Sequence, residues 1–190
     1  MFDIQLFACN IGEATINKSP SPRLRWALTL SYLFFIYATL GIVRPIVEQL
    51  RTAGFLSPTV TLLFVVFTLL ALGWRYAATS RSRLIQRGVL ITSLLAIALF
   101  MDGLPEERLH FLTYGLLGWL ICWSVEAGES DSLWAKTGWL LPCLLVWLAG
   151  GIDELIQWWL PVRVFEVRDI LINGVAGMLG IALFATGSRR

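Results

Sequence analysis

The sequence predicts an all-α integral membrane protein: a polytopic bundle of about six transmembrane helices with both termini in the cytoplasm. Three observations carry this. Hydrophobic residues make up 57% of the 190-residue chain and charged residues only 15%, with a mean hydropathy of +0.72. Soluble domains carry about 25% charged residues, so the composition alone points to lipid. Apolar runs near the ~20 residues needed to cross a bilayer recur along the chain. Finally, the basic residues are unevenly shared among the connections.

Residues 1–22 form a polar leader ending in Ser and Pro, outside the bilayer, without the basic-then-apolar order of a cleavable signal. Residues 23–190 form a single transmembrane domain. Trp26 to Val43 and Ser57 to Trp74 are uncharged spans. Gly88 to Met101 is shorter, and Gln86 and Arg87 lengthen it by snorkelling. The fourth span, Phe111 to Val125, is extended by a start at Pro105, with Glu106 and Glu107 in the first turn, where proline and acids are favoured. Leu133 to Ile152 and Ile170 to Gly187 complete the set. Trp26, Trp74, Trp134, Trp158 and Trp159 fall at expected interfaces.

Charge orients the bundle. Cytoplasmic termini place ten basic residues inside, led by Arg75, Arg81, Arg83 and Arg87, and leave Arg44, Arg51, Arg108, Arg163 and Arg168 outside. A net charge of +2 without a basic block gives no nucleic-acid surface. Cys9, Cys122 and Cys143 lack metal-ligand spacing, and the last two sit in apolar runs as small hydrophobes.

In this topology the fourth span begins where the fifth ends and the sixth starts. The polar residues there should share one depth near the extracytoplasmic face. Asp153 and Glu154 lie four and three residues before Gln157, so Gln157 can face either acid. His110 and Tyr114, and Asp169 and Asn173, are likewise four apart. A charge at mid-bilayer costs about 2.5–3.5 kcal/mol, so the acids ask for a function, against the plainer alternative of a solvated helix end. Acids at a helix C-terminus oppose the macrodipole. They fit better if the helix runs on towards Pro161 or breaks at Gly150 and Gly151.

Asp169 reads equally as an N-cap of the sixth helix. Asn173 stands beside Gly174, Gly177 and Gly180, a small-residue face suited to close helix packing or to a membrane-protein partner. His110, the only histidine, offers a general base or one ligand, and one imidazole does not make a histidine-rich metal site. Neither a metal nor a cofactor is expected. Arg163 and Arg168 in "PVRVFEVRD" suit an anion clamp or pairing with nearby acids. No glycine-rich phosphate loop, HExxH or GxSxG motif occurs, and Ser124 and Ser132 fall on the opposite side from His110.

"HFLTYGLLG" from His110 and "DELIQWWLPVRVFEVRDILINGVAGMLG" from Asp153 together resemble the VanZ-like membrane proteins. Matching positions are His110, Tyr114, Asp153, Glu154, Gln157, Pro161, Arg163, Asp169, Asn173 and Gly177, most specifically over residues 105–185. The family commonly has a lysine shortly before the histidine; Glu107 and Arg108 stand there here. The resemblance implies an envelope protein of the kind named for teicoplanin resistance, without a settled catalytic mechanism.

The expectation is therefore a binding protein of the bacterial inner membrane. Its pocket of His110, Tyr114, Asp153, Glu154, Gln157, Arg163, Asp169 and Asn173 would take a lipid headgroup, a lipid-linked glycan or a glycopeptide. An intramembrane enzyme using His110 and a carboxylate on lipid substrates is one alternative. An assembly subunit of a larger membrane complex is another.

Overall fold

The computed structural model describes residues 20–73, 81–82, 85–86, 88–92, 105–126, 137–161 and 165–187. Among these, all regular structure is helical. Five helices are complete enough to name: α1 (Pro22–Thr52), α2 (Leu56–Gly73), α3 (Pro105–Glu126), α4 (Leu140–Trp159) and α5 (Val167–Gly187). The described part of the expected third span, 88–92, is also helical. Among the described residues three helices, at Pro22–Thr52, Leu140–Trp159 and Val167–Thr186, are long and apolar enough to cross a membrane.

Helix α1 starts where the sequence chemistry says it should. The Ser21 hydroxyl accepts the Leu24 N–H at 3.3 Å, and Pro22 takes the first position, where no N–H is needed. Its end is not where the apolar run stops. The helix continues past Arg44 and through Pro45 to Thr52, 31 residues in all, or about 46 Å. It closes in a Schellman turn: Phe55 N–H donates to the Leu50 carbonyl, Gly54 N–H donates to that of Arg51, and Gly54 sits at φ 76°. That turn reverses the chain into α2.

The hub is α3. Phe111, Tyr114, Leu117, Ile121, Cys122 and Val125 are buried at helical spacing, and all four other helices pack against it. Its closest neighbour is α5, because glycines line both sides of the contact. A Cβ added at Gly118 would strike the Gly177 backbone, and one at Gly180 would strike Gly115. Close approach of two backbones across small residues is how helices associate in lipid, where apolar burial gives little preference. A Cβ at Gly174 would come within 2.6 Å of the Trp147 ring, and one at Gly177 would run into Val146. The glycine face that the sequence offers to a partner is thus filled by the chain's own α3 and α4.

Helix α1 is tied to this core by hydrogen bonds. Arg25 donates to the Trp123 carbonyl at 2.9 Å, satisfying one of the last four carbonyls of α3, and its guanidinium lies 4.9 Å from the centre of the Trp123 ring. The hydroxyls of Thr29 and Ser124 are 2.8 Å apart in a buried pair. Tyr32 donates to the Thr113 carbonyl, and Tyr37 donates to that of Ala149 at 2.8 Å. The outer sides of α1 and α2 stay apolar and open, with Phe34, Phe35, Leu62 and Leu70 among the most exposed side chains. On a helical bundle of this composition, lipid is their solvent.

Candidate functional site

The α4 helix shows why its acids are buried. Pro142, Val146, Ala149, Gly150, Asp153, Glu154 and Gln157 form one inward stripe, while Leu144, Leu148, Leu155, Trp158 and Trp159 face outward. The helix runs unbroken from Leu140 through Gly150 and Gly151 to Trp159, seven residues past the expected end at Ile152, and the start expected at Leu133 lies outside the described residues. Extension carries Asp153 and Glu154 inside the helix body, away from its carbonyl-rich end. The solvated-end alternative fails: Asp153 is 1% exposed and Glu154 is 0%.

Gly150 has a local role in this placement. A Cβ there would sit 2.9 Å from the Asn173 Cβ, so the missing side chain lets α5 bring Asn173 against α4. Asn173, wholly buried, then donates from Nδ2 to Asp153 Oδ2 at 3.4 Å. Its other end, Oδ1, lies 2.7 Å from His110 Nδ1 on α3. Gln157 Nε2 donates to Asp153 Oδ2 at 3.2 Å and to Glu154 Oε1 at 3.1 Å. The second Glu154 oxygen accepts the backbone N–H of Glu166 at 3.0 Å, tying the segment before α5 onto α4. One hydrogen-bonded layer therefore joins α3, α4 and α5 at the end of the bundle where α3 begins, α4 ends and α5 begins.

Helix α5 starts at Val167, three residues before the sequence expectation, so Asp169 belongs to its first turn and is not its N-cap. An acid there suits the positive end of the helix dipole. Its Oδ2 lies 3.9 Å from His110 Nε2, and both side chains are about one-fifth exposed at 21% and 23%. Asp169 and Asn173 thus present one stripe to the same imidazole, as their four-residue spacing suggests.

Tyr114, 1% exposed, points its phenol towards Asp153 without meeting hydrogen-bond geometry. Arg108, two residues ahead of His110, also buries its Nε without a partner among the described residues. Arg168 is exposed and lies in the first turn of α5, not in a loop. Arg163 lies outside the described residues.

Three contributors escaped the sequence reading. The Glu166 backbone amide carries no side-chain signal at all. Gly150 was visible only as a helix breaker. Tyr37, whose hydroxyl binds the Ala149 carbonyl one turn before Asp153, sits in a span with no polar motif to mark it. Cys122 and Cys143 are free thiols, as small hydrophobes among apolar neighbours should be. Among the described residues no group of three His, Cys, Asp or Glu side chains is placed to hold a metal ion.

A helical membrane protein with a buried polar layer at one end of the bundle is the class that this fold and site define. Its family is more specific. Residues 24–187 match the VanZ/LLP1 family model, and the chain belongs to that family. No curated protein and no solved structure matches the chain.

Proposed function

We propose that this protein is a multi-pass component of the bacterial inner membrane that binds an envelope molecule at its polar layer. In this reading a leader over residues 1–22 precedes one transmembrane domain, 23–190, of about six spans with cytoplasmic termini. The layer then lies on the extracytoplasmic side. The ligand is a lipid headgroup, a lipid-linked glycan or a glycopeptide. Asp153, Glu154, Gln157 and Asn173 hydrogen-bond its sugar, amide or amine groups. His110, Tyr114 and Asp169 line the opening, and Arg163 meets the anionic part.

The observation that supports this most is the burial of Asp153, Glu154, Gln157 and Asn173 in one bonded network inside an apolar bundle. Two carboxylates in such a place are costly to hold, and ordinary helix packing does not call for them. Purified protein in detergent micelles, challenged with individual envelope lipids, should show a thermal shift that Arg163→Ala and Asp153→Asn reduce. Equal shifts for wild type and both variants would remove the proposed ligand contacts.

A second reading, an intramembrane enzyme acting on lipid substrates, draws on one feature. Nε2 of His110 is not in hydrogen-bond contact with Asp169 at 3.9 Å, which suits a base awaiting a proton. Turnover of a labelled lipid lost in His110→Ala, with folding intact, would favour it.

A further inference from the structure

We infer that Asp153 and Asn173 hold His110 in the Nδ1–H tautomer, so that Nε2 and the Asp169 carboxylate form a two-acceptor seat for a primary ammonium group. The inference deepens the binding proposal above and rests on it for the ligand, though not for the tautomer.

The tautomer follows from donor and acceptor chemistry. The Asn173 amide turns its NH2 towards Asp153, with Nδ2 donating to Oδ2 at 3.4 Å. Gln157 also donates to that carboxylate, which keeps its oxygens in the accepting role. With the amide fixed this way, its carbonyl oxygen faces Nδ1 of His110 at 2.7 Å. Two acceptors cannot meet at that distance, so Nδ1 carries the proton. Asn173 is buried between α3 and α4, so its two amide ends meet these two partners and not water, and the partners fix which end faces which. In the neutral ring Nε2 is then an acceptor.

The seat follows from the distance. Nε2 and Asp169 Oδ2 are 3.9 Å apart, too far to bond each other. A donor nitrogen about 2.8 Å from each would see them at an angle of roughly 90°, within reach of two N–H bonds of one ammonium. The carboxylate favours a cationic donor over a hydroxyl. Both side chains are partly exposed, whereas Asn173 and Asp153 behind them are not, so the seat opens at the end of the bundle. Asn173 is a positioning residue here; His110 and Asp169 touch the ligand.

His110 is the only histidine, so labelling with 15N-histidine gives one imidazole to observe. In phosphatidylglycerol nanodiscs at a pH above the ordinary imidazole range, wild type should show a protonated Nδ1 and an unprotonated Nε2. Asn173→Leu should lose this and move towards the Nε2–H form; Asn173→Asp, which keeps the volume, should retain a protonated Nδ1. A wild-type ring with the proton on Nε2 would overturn the inference, whatever ligands do. Adding phosphatidylethanolamine should then shift the Nε2 resonance, whereas phosphatidylcholine, whose quaternary nitrogen has no N–H, should not. Soluble ethanolamine is the companion arm. A response to it at equal concentration assigns the seat to free amines, and a response to the lipid alone assigns it to headgroups. Asp169→Asn should weaken the response about tenfold. Equal response to phosphatidylcholine would overturn the ammonium seat. A correct tautomer with a thermal shift from another lipid would leave the general binding proposal standing.

Discussion

Gly118 on α3 rests directly on the Gly177 backbone of α5: a Cβ at Gly118 would come within 2.9 Å of the Gly177 carbonyl carbon. The partner atom is backbone, which cannot swing aside as a side chain would. Gly118→Ala should therefore lower the melting temperature in detergent, by an overpacking cost of about 1–3 kcal/mol. Gly151→Ala is the contrasting case. It is helical with nothing within 4 Å of the added Cβ, so it should leave stability unchanged or raise it by up to about 1 kcal/mol. If the two alanine variants melt alike, the tight α3–α5 contact is not there.

The Thr29–Ser124 pair makes a prediction about coupling. Each hydroxyl is buried and serves the other across α1 and α3. Thr29→Val should destabilise, and adding Ser124→Ala should cost less than it does alone. A double-mutant cycle should give a coupling of about 0.6 kcal/mol, the usual size for such bonds between membrane helices. Additive effects would show that the two hydroxyls do not share a bond in the folded bundle.

The Glu154 carboxylate holds the chain entering α5 through the Glu166 amide. Removing that acceptor frees a backbone N–H twelve residues away. In Glu154→Ala, hydrogen exchange at the Glu166 amide should speed up by about two- to tenfold, the equivalent of a lost hydrogen bond worth about 0.5–1.5 kcal/mol. Glu154→Gln, which keeps an acceptor oxygen, should sit between the two. Unchanged exchange in the alanine variant would mean that another group holds this segment.

The sidedness of the polar layer is open to direct labelling. In a background without the native cysteines, Pro161→Cys lies exposed just after α4, and Arg81→Cys lies exposed within the basic stretch expected inside. A membrane-impermeant maleimide applied to intact cells should modify the first and spare the second. The reverse pattern would put the layer in the cytoplasm and end the extracytoplasmic reading.

The spacing in the sequence foretold which polar side chains would share a helix face. Gln157 bonds both acids, and Asp169 and Asn173 face one imidazole, because residues three or four apart on a helix must lie together. Helix ends were harder. The apolar run ends before Arg44, yet the α1 backbone continues to Thr52, since an arginine interrupts apolar sequence without breaking backbone hydrogen bonding. The fifth span, too, ends at Trp159 and not at Ile152, because Asp153, Glu154 and Gln157 interrupt the apolar run on the inward face only, while the backbone stays helical.

Composition and periodicity on their own determined that this chain folds as membrane helices, and which residues each helix would have to keep out of lipid. They are local properties, set by side-chain chemistry and a repeat of 3.6 residues. Only the tertiary structure decided that Asn173 bridges His110 and Asp153, that Tyr37 backs Ala149, and that the glycine face is satisfied inside the chain. Those outcomes depend on how far each helix rotates and how closely it approaches its neighbours. Packing of the whole bundle sets both, and no single segment encodes them.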